Sequence, residues 1–473
     1  MSSAEAPAIV WFRQDLRLAD NPALAAAVKS KRPLILLYLL DDDTPGPWRI
    51  GGASRWWLHH SLAALAADLE KRGAALVLRR GPARTAIPAL VKQTKAAAIY
   101  WNRCYEPFAI ARDKALKETL SSVGVEAHSF NGALLMEPWA LKTKTGEPYK
   151  VFTPFWRAAL QSGAFRSPIA APKRFNGYRA PIRADALDDW ALPPSRPNWA
   201  KGFAPLWRPG EAGAHAALSA FLDERLSSYA AGRDMMGARA TSQLSPHLHF
   251  GEISPAQIYA ATETIAHDQP QLSSAAAKFL SEIGWREFSH NLLFHWPTLP
   301  EKNWRVQFDG FPWREDEAGF AAWRKGQTGY PIVDAGMREL WATGTVHNRA
   351  RMITASFLIK HLLIDWRRGA AWFWDTLLDA DLANNSASWQ WVAGSGADAA
   401  PYFRIFNPVT QGERYDADGA YVRRWVPELA QLPDKFIHRP WEAARAPADY
   451  PAPIVEHAAA RQRALAAFAS LSG

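Results

Sequence analysis

The sequence predicts an α/β N-terminal domain on a doubly wound parallel sheet, joined by a long connector to an all-helical C-terminal domain. Three observations predict it. Apolar, β-rich runs alternate with helical patterns over residues 8–130. Residues 131–210 are rich in Pro and Gly with little periodicity. From 211 onward the apolar spacing is helical. The boundaries read this way are 1–131, 132–210 and 211–473.

In the first region the strand-like runs are Ala8–Phe12, Leu34–Leu40, Ala75–Leu78 and Ala97–Trp101, with Val125–Phe130 as a weaker fifth. Helical patterns at Ser54–Lys71 and Pro107–Ser122 lie between them. The first turn, WFRQDLRLADNPAL, has no G-x-G-x-x-G, so nothing here points to a dinucleotide. Ligands of such sheets favour the carboxyl ends of the strands. Asp41–Asp43 follows one such end and reads equally as a solvated loop. The connector holds a short element at Thr153–Leu160 and is expected to run over the surface. The C-terminal region predicts helices at Glu211–Ala231, Ser254–Ile265, Ser273–Phe294, Phe320–Lys325, Val333–Thr343, Val346–Trp366 and Ala370–Asp379. Ser254-Pro255-Ala256-Gln257 has the cap, the first-turn proline and the third-position glutamine of a helix start.

Composition narrows the class. No run of about 18 apolar residues occurs, so no membrane span is expected. MSSAEAPAIVWFR has no basic leader before an apolar block, and the single Cys104 fits a reducing compartment. A cytoplasmic protein is the plain expectation. Lys+Arg 55 against Asp+Glu 46 gives a net charge of +9, which suits a polyanionic partner and an ordinary basic enzyme about equally. The 23 tryptophans outnumber the 12 tyrosines. Most belong in cores, but indoles also stack on planar ligands and carry single electrons.

The most informative stretch is Gly329–Asn407. Apolar residues fill most positions from Met352 to Leu363, as in a helix buried all round. Yet His347, Asn348, Arg349 and Arg351 open that helix, and Asp379, Asp381, Asn384 and Asn385 follow it. Buried polar groups need partners, so a polar ligand is expected there. ATSQLSPHLHFGEIS brings Thr241, Ser242 and Ser245 to a helix start, which suits phosphate binding or simple capping. In KFLSEIGWREFSHNLLFH, Glu282, Trp285 and Arg286 share a helical face able to grip a planar, hydrogen-bonding ligand. The alternative is a surface Glu–Arg pair. No Cys pair, H-E-x-x-H or G-x-S-x-G is present, and His59-His60 and His247-x-His249 read as structural.

TSQLSPHLHFGEISP, EIGWREF, TGYPIVDAGMREL with HNRARMITASFLIKHLLIDWR, DADLANNSASWQWVAGSGADAAPYFRIFNP and QGERYDADGAYVRRWVPEL together resemble the photolyase/cryptochrome family. The resemblance runs from IVWFRQDLRL almost to the C-terminus and is closest to cyclobutane pyrimidine dimer photolyases, with GGASRWWLHHSLAAL and WNRCYEP most like the class III bacterial branch. It implies that the helical domain holds FAD, active in its reduced form, and that UV-damaged DNA is the partner of a monomeric enzyme. The rival is a cryptochrome-like light receptor without repair activity.

Residue roles follow from the same resemblance. Tyr229 and Thr241, Ser242, Gln243, Leu244 and Ser245 are expected to hold FAD phosphates and backbone. Arg351, Asp379, Ala380 and Asp381 line the flavin, and Asn385 faces flavin N5, where plant cryptochromes carry an aspartate. Glu282 bonds the dimer, while Trp285 and Trp391 stack on it. Asn348 and Met352 face the lesion where (6-4) photolyases carry histidines. Arg233, Arg286, Arg349 and Gln411 are the remaining DNA contacts. Trp389, Trp366 and Trp313 form the electron-transfer triad with Trp313 outermost, and Trp372, Trp374 and Trp391 offer a side branch. An antenna chromophore is expected. Phe108 and Ala109 stand where many class I enzymes carry a folate-binding Asn-Glu pair, a departure that fits the different methenyltetrahydrofolate pose of class III, with deazaflavin as the alternative.

Overall fold

The computed structural model describes residues 6–399, 403–445 and 447–472. Met1–Glu5, at the N-terminus, and Ala400–Tyr402, inside the DADLANN…RIFNP motif, lie outside the described residues. Two compact units are present. One comprises Met1–Asn198, Trp207–Glu224 and Ser242–Pro297; the other comprises Trp199–Leu206, Arg225–Thr241 and Thr298–Gly473.

The first unit is built on a parallel sheet of β1 (Ala8–Phe12), β2 (Leu34–Leu40), β3 (Leu76–Arg80), β4 (Ala98–Asn102) and β5 (Glu126–Phe130), in the order β3-β2-β1-β4-β5. Register pairs Ala8 with Leu34 on one side and with Ala98 on the other. β1, β2 and β4 are nearly continuous apolar runs because both faces are covered, as parallel sheets require. Asp41 does not project into solvent. It caps the loop after β2, accepting from the Thr44 and Ala83 backbone N–H groups at 2.9 Å each.

Two helices of this unit, Pro255–Asp268 and Ser273–His295, come from the stretch whose pattern is helical in sequence. Charged contacts tie the segments before them to the loop after β1. Glu211 accepts from the Leu18 and Ala19 backbone N–H groups, and Arg17 donates to the Gly251 carbonyl at 2.8 Å. Glu252 takes Trp57 Nε1 at 3.0 Å and also holds His247, which gives His247 a structural role. The capping box at Ser254 and Gln257 is formed.

The second unit is helical. The expected helix Glu211–Ala231 is two segments, Glu211–Glu224 and Tyr229–Gly232, the first lying in the other unit. Val346–Trp366 is likewise not one helix. An α-helix over Asn348–Ser356 passes into a π-helical turn at Phe357–His361 and stops, with Leu363 at φ +54. A new helix, Trp366–Thr376, begins where Asp365 accepts from the Arg367 N–H at 2.8 Å. The apolar run conceals this break because both halves are buried. Asp334, fully buried, accepts from the Thr328 N–H and hydroxyl, the Gly329 N–H and the Tyr450 hydroxyl, so it pins the GYP turn.

Candidate functional site

The polar residues of the second unit converge around the Asn348–Ser356 helix. His347 caps it: its Nδ1 accepts from the Arg349 N–H at 3.1 Å, and burial pushes its imidazole down to about 4, so the ring is neutral. The Arg349 guanidinium pairs with Asp234 at 2.9 Å, lies 4.4 Å from the Tyr415 ring centroid and reaches Met352 Sδ at 3.8 Å. Asn348 is the first residue of the helix, one turn before Met352. Arg233 stands over the ring of buried Tyr229 at 5.5 Å. Gln411, on the Pro408–Tyr415 helix, has a buried Oε1 with no hydrogen-bond partner among the described residues.

Arg351 Nη2 meets the two oxygens of Asp379 at 2.8 and 3.1 Å, and its Nε holds the Val346 carbonyl at 3.0 Å. Asp379 leads through buried Ala380 to Asp381, which caps the Leu382–Ala393 helix by accepting from the Asn384 N–H at 2.8 Å. Asn385 donates to the Ala370 carbonyl at 3.1 Å, leaving its carboxamide oxygen for another partner. A guanidinium, carboxylates and an amide in one region offer donors and acceptors suited to the polar edge of a planar heterocycle. The residues therefore fit a flavin.

Trp366 and Trp389 share one apolar cluster, and Trp313 packs against it. Trp366 Nε1 donates to Asn303 at 2.9 Å, and Trp389 meets Phe373 edge-on at 5.0 Å. Trp391 Nε1 is held by the Asp398 carbonyl at 3.0 Å. Trp372 stacks on Trp341 (5.8 Å, planes 5° apart), which stacks on Trp199 (4.8 Å, 19°). This ladder has no sequence signal, because its rings come from distant positions. Trp374 packs against the apolar cluster. Asp234, Tyr415, Asn303 and Glu339 were equally invisible in spacing. Glu339, half-buried, accepts from the His347 N–H at 3.1 Å and the Tyr421 hydroxyl at 2.5 Å, steadying the helix start.

In the first unit, Glu282 and Trp285 lie on the Ser273–His295 helix, with Lys278 3.6 Å from Glu282. Arg286 donates to the Ala133 carbonyl at 2.8 Å and sits 3.5 Å from Glu287, so part of its five-donor fork is already committed. Ser242 Oγ accepts from the Leu244 N–H at 3.4 Å, Gln243 has φ +58, Leu244 is buried and Ser245 opens the short helix Ser245–His249. In the second unit, the Thr241 carbonyl accepts from Arg225 at 3.2 Å.

A family described as DNA photolyase matches residues 8–173, and one described as the FAD binding domain of DNA photolyase matches 279–470. The chain is 53% identical to a deoxyribodipyrimidine photo-lyase of Agrobacterium fabrum, over 100% of this chain and 99% of that protein. It belongs to the photolyase/cryptochrome family. Its structure is similar to a bacterial class III photolyase from Agrobacterium tumefaciens, with TM-score 0.95, 52% identity and coverage of 100% of this chain and 99% of that one. The family also includes Arabidopsis thaliana cryptochrome-1, 39% identical over 94% of this chain and 68% of that protein. Within this photolyase/cryptochrome chain, the second family match covers Arg351, Asp379, Asp381 and Asn385. No described helix is long and apolar enough to cross a membrane, and no described cluster of His, Cys, Asp and Glu forms a metal site.

Proposed function

We propose that this chain is a light-dependent DNA lyase that splits cyclobutane pyrimidine dimers, a deoxyribodipyrimidine photo-lyase of the class III branch. The observation that carries it is the 53% identity to a protein of that name over nearly the whole of both chains. When bound, reduced FAD supplies the light-driven electron that opens the cyclobutane ring and takes it back afterwards.

The chain's own residues do the rest. Arg351, Asp379, Ala380, Asp381 and Asn385, with Tyr229 and Thr241 to Ser245, hold and orient the cofactor. Asn385 offers flavin N5 a neutral amide. Glu282 hydrogen-bonds the dimer, and Trp285 and Trp391 stack on it, each contact being worth roughly 1–3 kcal/mol. Asn348 and Met352 face the lesion, while Arg233, Arg286, Arg349 and Gln411 contact the DNA. Trp389, Trp366 and Trp313 would carry electrons toward a bound, oxidised FAD, and Trp372, Trp374 and Trp391 would form the side branch. A damaged pair costs less to unstack than an intact one, which favours extrusion of the dimer.

The domain division 1–131, 132–210 and 211–473 is part of this reading, as are monomeric action in the cytoplasm and an antenna chromophore. For the antenna, methenyltetrahydrofolate in the class III pose is favoured over deazaflavin; the departure at Phe108 and buried Ala109, which offer no polar pair to the class I folate pose, fits it. The test is irradiation of the FAD-loaded protein with dimer-containing DNA under reducing conditions. Loss of dimers in light and not in darkness is the expected result. Unchanged dimers would favour the cryptochrome-like receptor.

A further inference from the structure

Phe152 lies flat against Trp285, with ring centroids 3.8 Å apart and planes within 9°. We propose that Phe152 is a positioning residue for lesion recognition: it backs one face of the Trp285 indole so that the opposite face is presented to the extruded dimer. The proposal rests on Trp285 as the lesion-stacking indole.

The brace is built from two elements of the first unit. Phe152 opens the Phe152–Ser162 helix, and Trp285 sits mid-way along the Ser273–His295 helix. Phe288, one turn beyond Gly284, stands edge-on to both rings, 6.0 Å from Phe152 and 5.9 Å from Trp285. One parallel contact and two edge contacts are arrangements that aromatic quadrupoles favour. Trp285 itself is only half-buried, so indole surface is left for a ligand.

The neighbouring face of the long helix fixes where Phe152 stands. A Cβ on Gly284 would come 2.6 Å from Trp156 Cδ2, so the absence of one lets Trp156, one turn after Phe152, seat on the helix backbone. Asn291 Nδ2 donates to the Tyr149 carbonyl at 3.1 Å, and Glu287 accepts from the Leu135 N–H at 2.9 Å. Gly284, Glu287, Phe288 and Asn291 follow helical spacing and grip the connector on both sides of the stack. An unbraced indole would have to be immobilised when the base arrives, and such ordering weakens binding. A ring already clamped on its far face avoids that loss.

The test measures binding of the full-length, FAD-loaded protein to a dimer-containing oligonucleotide and to its undamaged counterpart. Phe152→Ala should lower the preference for the dimer roughly fivefold to tenfold, the size of one aromatic contact. Affinity for undamaged DNA and flavin absorbance should stay unchanged. Phe152→Leu keeps apolar volume without a π face and should show the same loss; Phe152→Tyr should restore the preference. A preserved preference in Phe152→Ala and Phe152→Leu, an equal loss on both DNAs, or failure of Phe152→Tyr to rescue would overturn the proposal alone. No dimer preference in the wild-type protein would overturn the lesion reading and this proposal together.

Discussion

Arg351 and Asp379 form a bifurcated ion pair, with Nη2 at 2.8 and 3.1 Å from the two carboxylate oxygens. The pair fastens the segment before Asp381 to the helix that begins at Asn348. The Asp379 side chain is 6% exposed and that of Arg351 26%. Breaking a buried pair costs roughly 3–5 kcal/mol, and the partial exposure of Arg351 reduces this to about 2 kcal/mol. Asp379→Ala should therefore lower the unfolding free energy by about that amount and reduce co-purified FAD. Asp379→Asn, which keeps an acceptor, should lose less of both. Denaturant unfolding and flavin absorbance per protein check this, and retention of full FAD by Asp379→Ala would remove the pair from the cofactor site.

Trp313 packs on the edge of the apolar cluster that contains Trp366 and Trp389, and its ring lies 4.4 Å from Phe311. As the outermost member of the proposed chain it would serve reduction of FAD and not the splitting step. Trp313→Phe should slow photoreduction of the oxidised protein severalfold while leaving repair by chemically pre-reduced protein intact. Flash absorbance and dimer-repair assays separate the two. Equal loss in both would refute the assignment.

Two buried groups give opposite pH dependences. Burial pushes the Lys360 ammonium, at the π-helical turn, down to about 7. The unfolded chain holds that proton up to its ordinary value of 10.5, so stability rises with pH between about 7 and 10.5, by at most about 1.4 kcal/mol per unit. Lys360→Met should flatten this slope and stabilise most at or below pH 7. Burial pushes Glu287 up to about 7 from 4.5, so its contribution is complete below 4.5 and is lost as pH rises through 7. Glu287→Gln should remove that decline. Thermal midpoints from pH 5 to 10 for the three proteins check both signs, and parallel curves would refute them.

Much of this was legible in the sequence, for identifiable reasons. Alternation of apolar runs yields the parallel sheet, because strands covered on both faces have no polar positions to confuse the pattern. The density of polar residues after Gly329 has two causes that sequence cannot separate. Asp334 and Glu339 are satisfied internally by turns and hydroxyls. Arg351, Asp379 and Asn385 are the group that fits a ligand. The break between His361 and Trp366 was hidden because apolar content is the same on both sides of it. Phe152 behind Trp285, Asp234 beside Arg349 and the Trp199–Trp341–Trp372 ladder depend on pairings between distant segments, which spacing along one element does not encode.

Gly369 offers a direct probe of Trp389. A Cβ at this position would come 2.5 Å from Trp389 Cζ3 and 2.6 Å from Leu358 Cδ2. Alanine would gain about 1 kcal/mol of helix propensity over glycine within the Trp366–Thr376 helix. Overpacking opposes this by roughly 1–3 kcal/mol, because the indole and Leu358 are both buried. Gly369→Ala should thus be net destabilising and should displace Trp389, slowing photoreduction. Adding Trp389→Phe removes the clashing ring atoms and should recover part of the lost stability, the Leu358 contact remaining, without recovering photoreduction. The double-mutant cycle in unfolding free energy then has a coupling term of opposite sign to the clash. Additive stabilities would mean that the two residues do not meet, and the packing that holds Trp389 in place would need another source.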